Sequence, residues 1–152
     1  MIKLTKLILV LFIFYGCAYE PVLLKKDYNF NFSNIASEGE EKVNEIIKDK
    51  LAESTENRST NKYNIIFISE KYKDIISSNK KGDPTIYRIR INVKYNLIEN
   101  NKIILKNEIF KQATYNNIDD KFELLKYEEN ILNNLSERFA EDILISISTV
   151  LK

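Results

Sequence analysis

From Tyr87 to Leu97 the chain reads Tyr-Arg-Ile-Arg-Ile-Asn-Val-Lys-Tyr-Asn-Leu, apolar at every odd position and polar at every even one. In an extended strand successive side chains point to opposite faces, so this order commits the segment to a sheet with one packed and one wet face. A helix would scatter the two kinds of residue around its axis. The rest of the chain must therefore cover the apolar side of this strand.

Its neighbours supply more strands. Glu99-Asn100-Asn101-Lys102 reads as a turn, and Ile103 to Tyr115 returns as a strand with Ile103, Leu105 and Ile109 on one side. The alternation blurs at Asn107 and Phe110, which fits a bulge or a second partner surface. Upstream, Lys62 to Ser69 holds Tyr63, Ile65, Ile66, Phe67 and Ile68, the nearly continuous apolar run of a well-covered strand. Tyr28 to Ser33 alternates aromatic and polar residues and is read as the first strand. Glu70 to Pro84 is less regular: Ile75 and Ile76 either pack locally or extend the preceding strand, and Lys80-Lys81-Gly82-Asp83-Pro84 marks an exposed turn.

Two segments carry helical periodicity instead. Ser37 and Glu40 have the spacing of a capping box, acidic residues follow, and Val43, Ile46, Ile47 and Leu51 recur on one face, predicting a helix over 38–53. Residues 52–61, rich in Ser, Thr and Asn, read as a loop. Asp120 and Glu123 repeat the box spacing, and Phe122, Leu125, Leu132, Leu135, Phe139, Ile143, Ile147 and Val150 form a stripe that predicts a helix from about 120 almost to the end. That stripe is read as core and not as a lipid-binding groove. Glu123 with Lys126 and Arg138 with Asp142 are expected as surface pairs.

The order strand, helix, strand, strand, strand, helix gives the fold. The first two strands pair in parallel across a helical crossover and the next two follow antiparallel. The expected architecture is an α/β (α+β) two-layer sandwich, a four-stranded mixed β-sheet with two α-helices on one face.

Composition removes many functions. Among 152 residues there is no His and one Cys, so a His-bearing triad, a Cys/His zinc site and a disulfide are excluded. Beyond Gly16 only Gly39 and Gly82 remain, too few and too far apart for a phosphate-cradling loop. The formal charge is +1, and Lys3 and Lys6 belong to a leader whose removal leaves −1, so nothing favours nucleic acid.

The leader explains the cysteine. Lys3 and Lys6 precede an unbroken apolar run from Leu7 to Tyr15, followed by Gly16-Cys17. Crossing a bilayer core asks for roughly 20 apolar residues, so an export signal fits better than a permanent anchor. A small residue before the only cysteine resembles the lipobox of bacterial lipoproteins, which implies cleavage, a covalent lipid on Cys17 and, with Ala18 in place of Asp, sorting to the outer membrane. Phe14 and Tyr15 are bulkier than the usual pair there, and an uncleaved anchor with an incidental cysteine stays open. The expected division is a signal peptide at 1–16, a lipidated tether at 17–26 and an α/β domain at 27–152.

With these parts together the chain resembles the LptE family of lipopolysaccharide-assembly lipoproteins. Gly16-Cys17-Ala18-Tyr19-Glu20-Pro21-Val22-Leu23 is similar to the family's opening. Tyr87 to Leu97 is similar to its third strand, with an Arg near the start and Tyr-x-Leu at the end, and Ala113-Thr114-Tyr115-Asn116 with Asp119 through Phe122 is similar to its return strand and helix entry. The last helix departs, carrying Leu, Ile and Asn where the family has alanine. The resemblance implies a non-enzymatic outer-membrane lipoprotein on the periplasmic side, seated in the lumen of an LptD-like β-barrel, with lipopolysaccharide as cargo and no cofactor beyond the lipid on Cys17.

Candidate contacts follow from that implication. Arg88, Arg90 and Lys94 project from the polar side of one strand within about 20 Å and could meet lipid phosphates, although a solvated sheet face would look the same. Lys80 and Lys81, at a loop tip, are weaker candidates. Tyr72, Ile104 and Phe110 are expected outside the main core, either as a partner surface or packed under the 70–84 loop. The neighbouring carboxylates Asp119 with Asp120, Glu128 with Glu129 and Glu141 with Asp142 do not converge on one bond and are read as caps or surface. A second reading keeps the anchor and the fold but makes the chain a lipoprotein cofactor of another periplasmic machine, a cell-wall synthase activator or a secretion pilot. A periplasmic enzyme comes third, since carboxylate chemistry survives the loss of His and Cys.

Overall fold

The computed structural model describes residues 28–55, 59 and 61–151. The expected leader at 1–16 and tether at 17–26, with Cys17, lie outside the described residues. The elements are β1 (Asn31–Gly39), α1 (Glu41–Ser54), β2 (Lys62–Ser78), β3 (Pro84–Glu99), β4 (Lys102–Asn116) and α2 (Lys121–Val150). The sheet order is β1-β2-β3-β4, with β1 parallel to β2 and the other pairs antiparallel. This is the predicted four-stranded mixed sheet with two helices.

The odd positions of β3 form its centre. Ile89, Ile91, Val93, Tyr95 and Leu97 are all buried, facing the same layer as Tyr63, Ile65 and Phe67 of β2. From α1 come Val43, Ile47 and Leu51, and from α2 Leu132, Leu135, Phe139, Ile143 and Ile147. Each such side chain, fully buried, contributes about 1.5–3 kcal/mol. The 3.6-residue spacing of both helices thus meets the two-residue spacing of the strands across one apolar layer.

β2 and β3 are joined by the turn expected at Lys80 to Pro84. Asn79 organises it, its Oδ1 accepting from the amides of Lys81 at 2.8 Å and Asp83 at 3.0 Å. This turn sits at the end of a long hairpin, since β2 continues through Ile75 and Ile76 to Ser78. β1 accompanies it only as far as Ser69. The β3–β4 turn uses Asn100 (φ 48°) and Asn101 (φ 63°), a left-handed pair that follows the twist of a two-residue hairpin.

Four local expectations change. β1 starts and ends later than Tyr28 to Ser33, and Ser37 belongs to its ladder, opposite Phe67, not to a capping box. Helix α1 therefore begins at Glu41, capped by Glu40, whose amide donates to the carbonyl and the hydroxyl of Ser69 at 3.2 and 3.1 Å. The β3–β4 register shifts between Leu97 and Ile98 of β3, leaving Ile104 as an extra residue on β4. Ile103 is thereby turned out, 59% exposed, while Ile104, Leu105 and Ile109 pack against the core. Finally, Phe122, Leu125 and Val150 leave the predicted α2 stripe and are exposed, and Leu124 enters it instead. Leu124 lies two residues, about 200° of helix, from Phe122.

The charges of α2 serve as ties. Asp120 caps the helix, its Oδ1 accepting from the amides of Phe122 at 2.8 Å and Glu123 at 3.2 Å. Glu129 pairs with Lys42 of α1, Glu128 meets Lys73 of β2 at 2.5 Å, and Asp142 meets Lys111 of β4 at 2.5 Å. Asp142 thus takes a sheet partner instead of the Arg138 expected from helical spacing.

Candidate functional site on the open face of the sheet

Both helices cover the same side, so the other side of the sheet is the surface on which the polar positions of β3 are displayed. Strand parity and register assemble it in rows. Asp74 of β2 stands opposite Arg88 of β3, which stands opposite Thr114 of β4; the next row is Tyr72, Arg90 and Gln112. Further along come Glu70, Asn92 and Phe110, then Ile68, Lys94 and Glu108, then Ile66, Asn96 and Lys106.

Arg88, Arg90 and Lys94 of this face are engaged. Arg90 donates from Nε and Nη2 to the two oxygens of Asp74 at 2.6 and 3.1 Å, a bidentate pair. Arg88 reaches the same carboxylate with Nη2 alone, at 3.5 Å. Its Nε is buried and has no hydrogen-bond partner among the described residues. The Arg90 hydrogen bond, with the charges of Arg90 and Arg88, holds the Asp74 carboxyl below the usual carboxylate range. Arg90 also lies over the Tyr72 ring, 5.6 Å from its centroid. Lys94 stands 3.7 Å from Glu108, both half exposed. Lys80 and Lys81 are exposed on the β2–β3 turn, away from these rows.

Apolar residues share the face. Tyr72 and Phe110 are 50% and 56% exposed, and Ile66 and Ile68 are exposed beside them on β2. Tyr72 and Phe110 stand where the sequence placed them, outside the core, whereas Ile104, expected with them, packs against it. Asp74, Ile66 and Ile68 were assigned no part in this surface from sequence. Counting by twos from Ile66 along β2 reaches all of them; the irregular look of 70–84 hid Asp74, and the continuous apolar run of 62–69, read as covered on both sides, hid Ile66 and Ile68, which are exposed. Among the described residues no three His, Cys, Asp or Glu are grouped closely enough to hold a metal ion, and no helix is long and apolar enough to cross a membrane.

A family model for LptE, lipopolysaccharide assembly, matches residues 29–147, which spans every strand and nearly all of α2. The chain belongs to the LptE family. Solved structures carry the same fold. Rare lipoprotein B from Shewanella oneidensis is 11% identical, with a TM-score of 0.58 over 76% of this chain and 94% of the other. Lipoprotein B from Nitrosomonas europaea is 16% identical, with a TM-score of 0.59 over 82% and 88%. A minor lipoprotein from Acinetobacter baumannii is 12% identical, with a TM-score of 0.51 over 78% and 94%. No curated protein matches in sequence. At these identities the likeness lies in the sheet and helices. In this LptE chain the open face of that sheet carries both the candidate cations and the exposed apolar side chains. Membership of the family places the chain in lipopolysaccharide assembly.

Proposed function

We propose that this LptE chain is an outer-membrane lipoprotein, anchored through a lipid on Cys17, that plugs an LptD-like β-barrel from the periplasmic side and assists delivery of lipopolysaccharide. It does so without catalysis. The observation that carries the reading is the open sheet face, on which Ile66, Ile68, Tyr72 and Phe110 are exposed between charged rows. Large apolar side chains exposed together on one face of a small domain are the ordinary mark of a partner surface. Arg88 and Arg90 are the first candidates for lipid phosphates, with Lys94 beside them and Lys80 and Lys81 at the turn. Planar guanidinium groups suit phosphate oxygens, and here two of them converge on one carboxylate.

The test is to tag the C-terminus, extract outer membranes in mild detergent and identify what co-purifies. A stoichiometric large β-barrel with bound lipopolysaccharide is the expected result. Recovery with a cell-wall synthase or a secretion component would keep the anchor and the fold and replace the function. Replacing Arg88 and Arg90 by Glu should weaken lipopolysaccharide binding with the fold intact, and undiminished binding would remove them as contacts.

A further inference from the structure

We infer that Asp74 is a built-in competitor for the anion that Arg88 and Arg90 hold, so that it sets the affinity of the open face for a phosphorylated lipid. The inference rests on the reading of these arginines as lipid-phosphate contacts and concerns how that site is regulated.

The donors and charges of the cluster do not balance. Two guanidinium groups share one carboxylate, leaving a surplus of one positive charge. Arg90 spends two donors on Asp74, while Arg88 makes one long contact and leaves Nε buried without a partner among the described residues. A carboxylate has two oxygens, and a terminal phosphate presents three in a tetrahedron, enough to satisfy the donors that Asp74 leaves over. Across the sheet the cluster is flanked by Thr114 and Gln112, which carry no charge. The nearest other carboxylate along β2, Glu70, stands opposite Asn92 in the next row. Asp74 is thus the anion that an incoming phosphate meets first.

The surroundings favour a lipid over free phosphate. Ile66, Ile68 and Tyr72 lie along β2 on the same face, with Glu70 between Ile68 and Tyr72, and Phe110 stands across β3 from Glu70. Six residues of strand span roughly 20 Å, the length of an acyl chain, and this track starts at the row of Arg90. A phosphate seated on the arginines would leave its lipid tail room to lie along these apolar side chains.

Asp74 can act in either of two senses, which predict opposite signs. As a competitor it repels the ligand, and its neutral isostere binds more tightly. As a mere orienting group it holds the arginines in place, and the same change weakens binding. The test uses the full chain in detergent, titrated with bisphosphorylated lipid A, with the same lipid after dephosphorylation and with inorganic phosphate. The variants are Asp74→Asn, Asp74→Ser and the double variant Arg88→Gln with Arg90→Gln, each checked by thermal unfolding. We expect Asp74→Asn and Asp74→Ser to bind the phosphorylated lipid about tenfold more tightly at low salt, less so at physiological salt. Binding of the dephosphorylated lipid should not change, and the double variant should lose most phosphorylated-lipid binding. Unchanged or weaker binding in both Asp74 variants, with the arginine loss intact, overturns the inference and leaves the proposed function standing. Full binding by the arginine variant removes the site itself. An equal gain for inorganic phosphate overturns the assignment to a lipid.

Discussion

The phenol of Tyr115 donates to Oε1 of Glu128 at 2.7 Å, tying the end of β4 to α2 at the edge of the core. Lys73 of β2 meets the same carboxyl oxygen at 2.5 Å and lies over the Tyr87 ring, which in turn stacks on Tyr115 with centroids 5.6 Å apart. Removing the hydroxyl with Tyr115→Phe should cost about 1–2 kcal/mol, since a bond to a charged group is lost while Glu128 keeps Lys73. Burial, and then Glu128, push the Tyr115 phenol well above its ordinary value of 10.0. The unfolded chain therefore loses this proton first, and the contribution is complete below pH 10 and declines as pH rises above it. The slope from this one group is at most about 1.4 kcal/mol per pH unit. Denaturant midpoints at pH 9 and pH 11 should converge between wild type and Tyr115→Phe. Burial also raises the phenols of Tyr28 and Tyr63, so the decline will shrink in the variant without vanishing.

Gly39 and Gly82 both have positive φ, 101° and 91°, but different surroundings. A Cβ on Gly39 would lie 1.9 Å from the Ser69 carbonyl oxygen, where the backbone of β2 cannot yield. Around Gly82 nothing lies within 4 Å of the same atom. Gly39→Ala should destabilise by about 3 kcal/mol or more, and Gly82→Ala by about 1 kcal/mol through backbone strain alone. Equal costs would mean that the approach of β1 to β2 at the α1 entry is looser than described.

The corrected stripe of α2 separates two phenylalanines. Phe139 is fully buried, and Phe122 is 76% exposed. Phe139→Ala should cost about 3–5 kcal/mol by loss of packing and cavity formation. Phe122→Ala should stay within about 0.5 kcal/mol. Thermal melts of the two variants decide between the observed stripe and the one drawn from spacing alone.

On the open face, Ile68→Lys and Phe110→Lys place charge where no core side chain packs. Stability should change by no more than about 0.5 kcal/mol. Under the proposed function, recovery of the barrel in the tagged pull-down should fall several-fold. A full yield of barrel from the folded double variant would point the plug's contact surface elsewhere.

The local order of this sequence determined the element types and their sequence along the chain, because two-residue and 3.6-residue periods are properties of single strands and helices. Tyr87 to Leu97 could be little else than a half-covered strand, and the Asn100-Asn101 turn and the Asp120 cap were equally local. The same order supported the sandwich and the family. Tertiary structure alone decided the features that depend on which strands are neighbours. Ser37 satisfies the spacing of a helix cap, yet the parallel ladder with β2 claims it, and Ser69, 29 residues from Glu40, supplies the hydroxyl at the α1 entry. One extra residue opposite Leu97 and Ile98 turned Ile103 outward, since a slip of one in a strand exchanges its faces. Asp74 sits in a stretch without clear periodicity, and nothing near it in sequence reveals the two arginines 14 and 16 residues away that share it. That pairing exists only because β2 runs on past β1 and lies antiparallel to β3, which brings Asp74 to the row of Arg88.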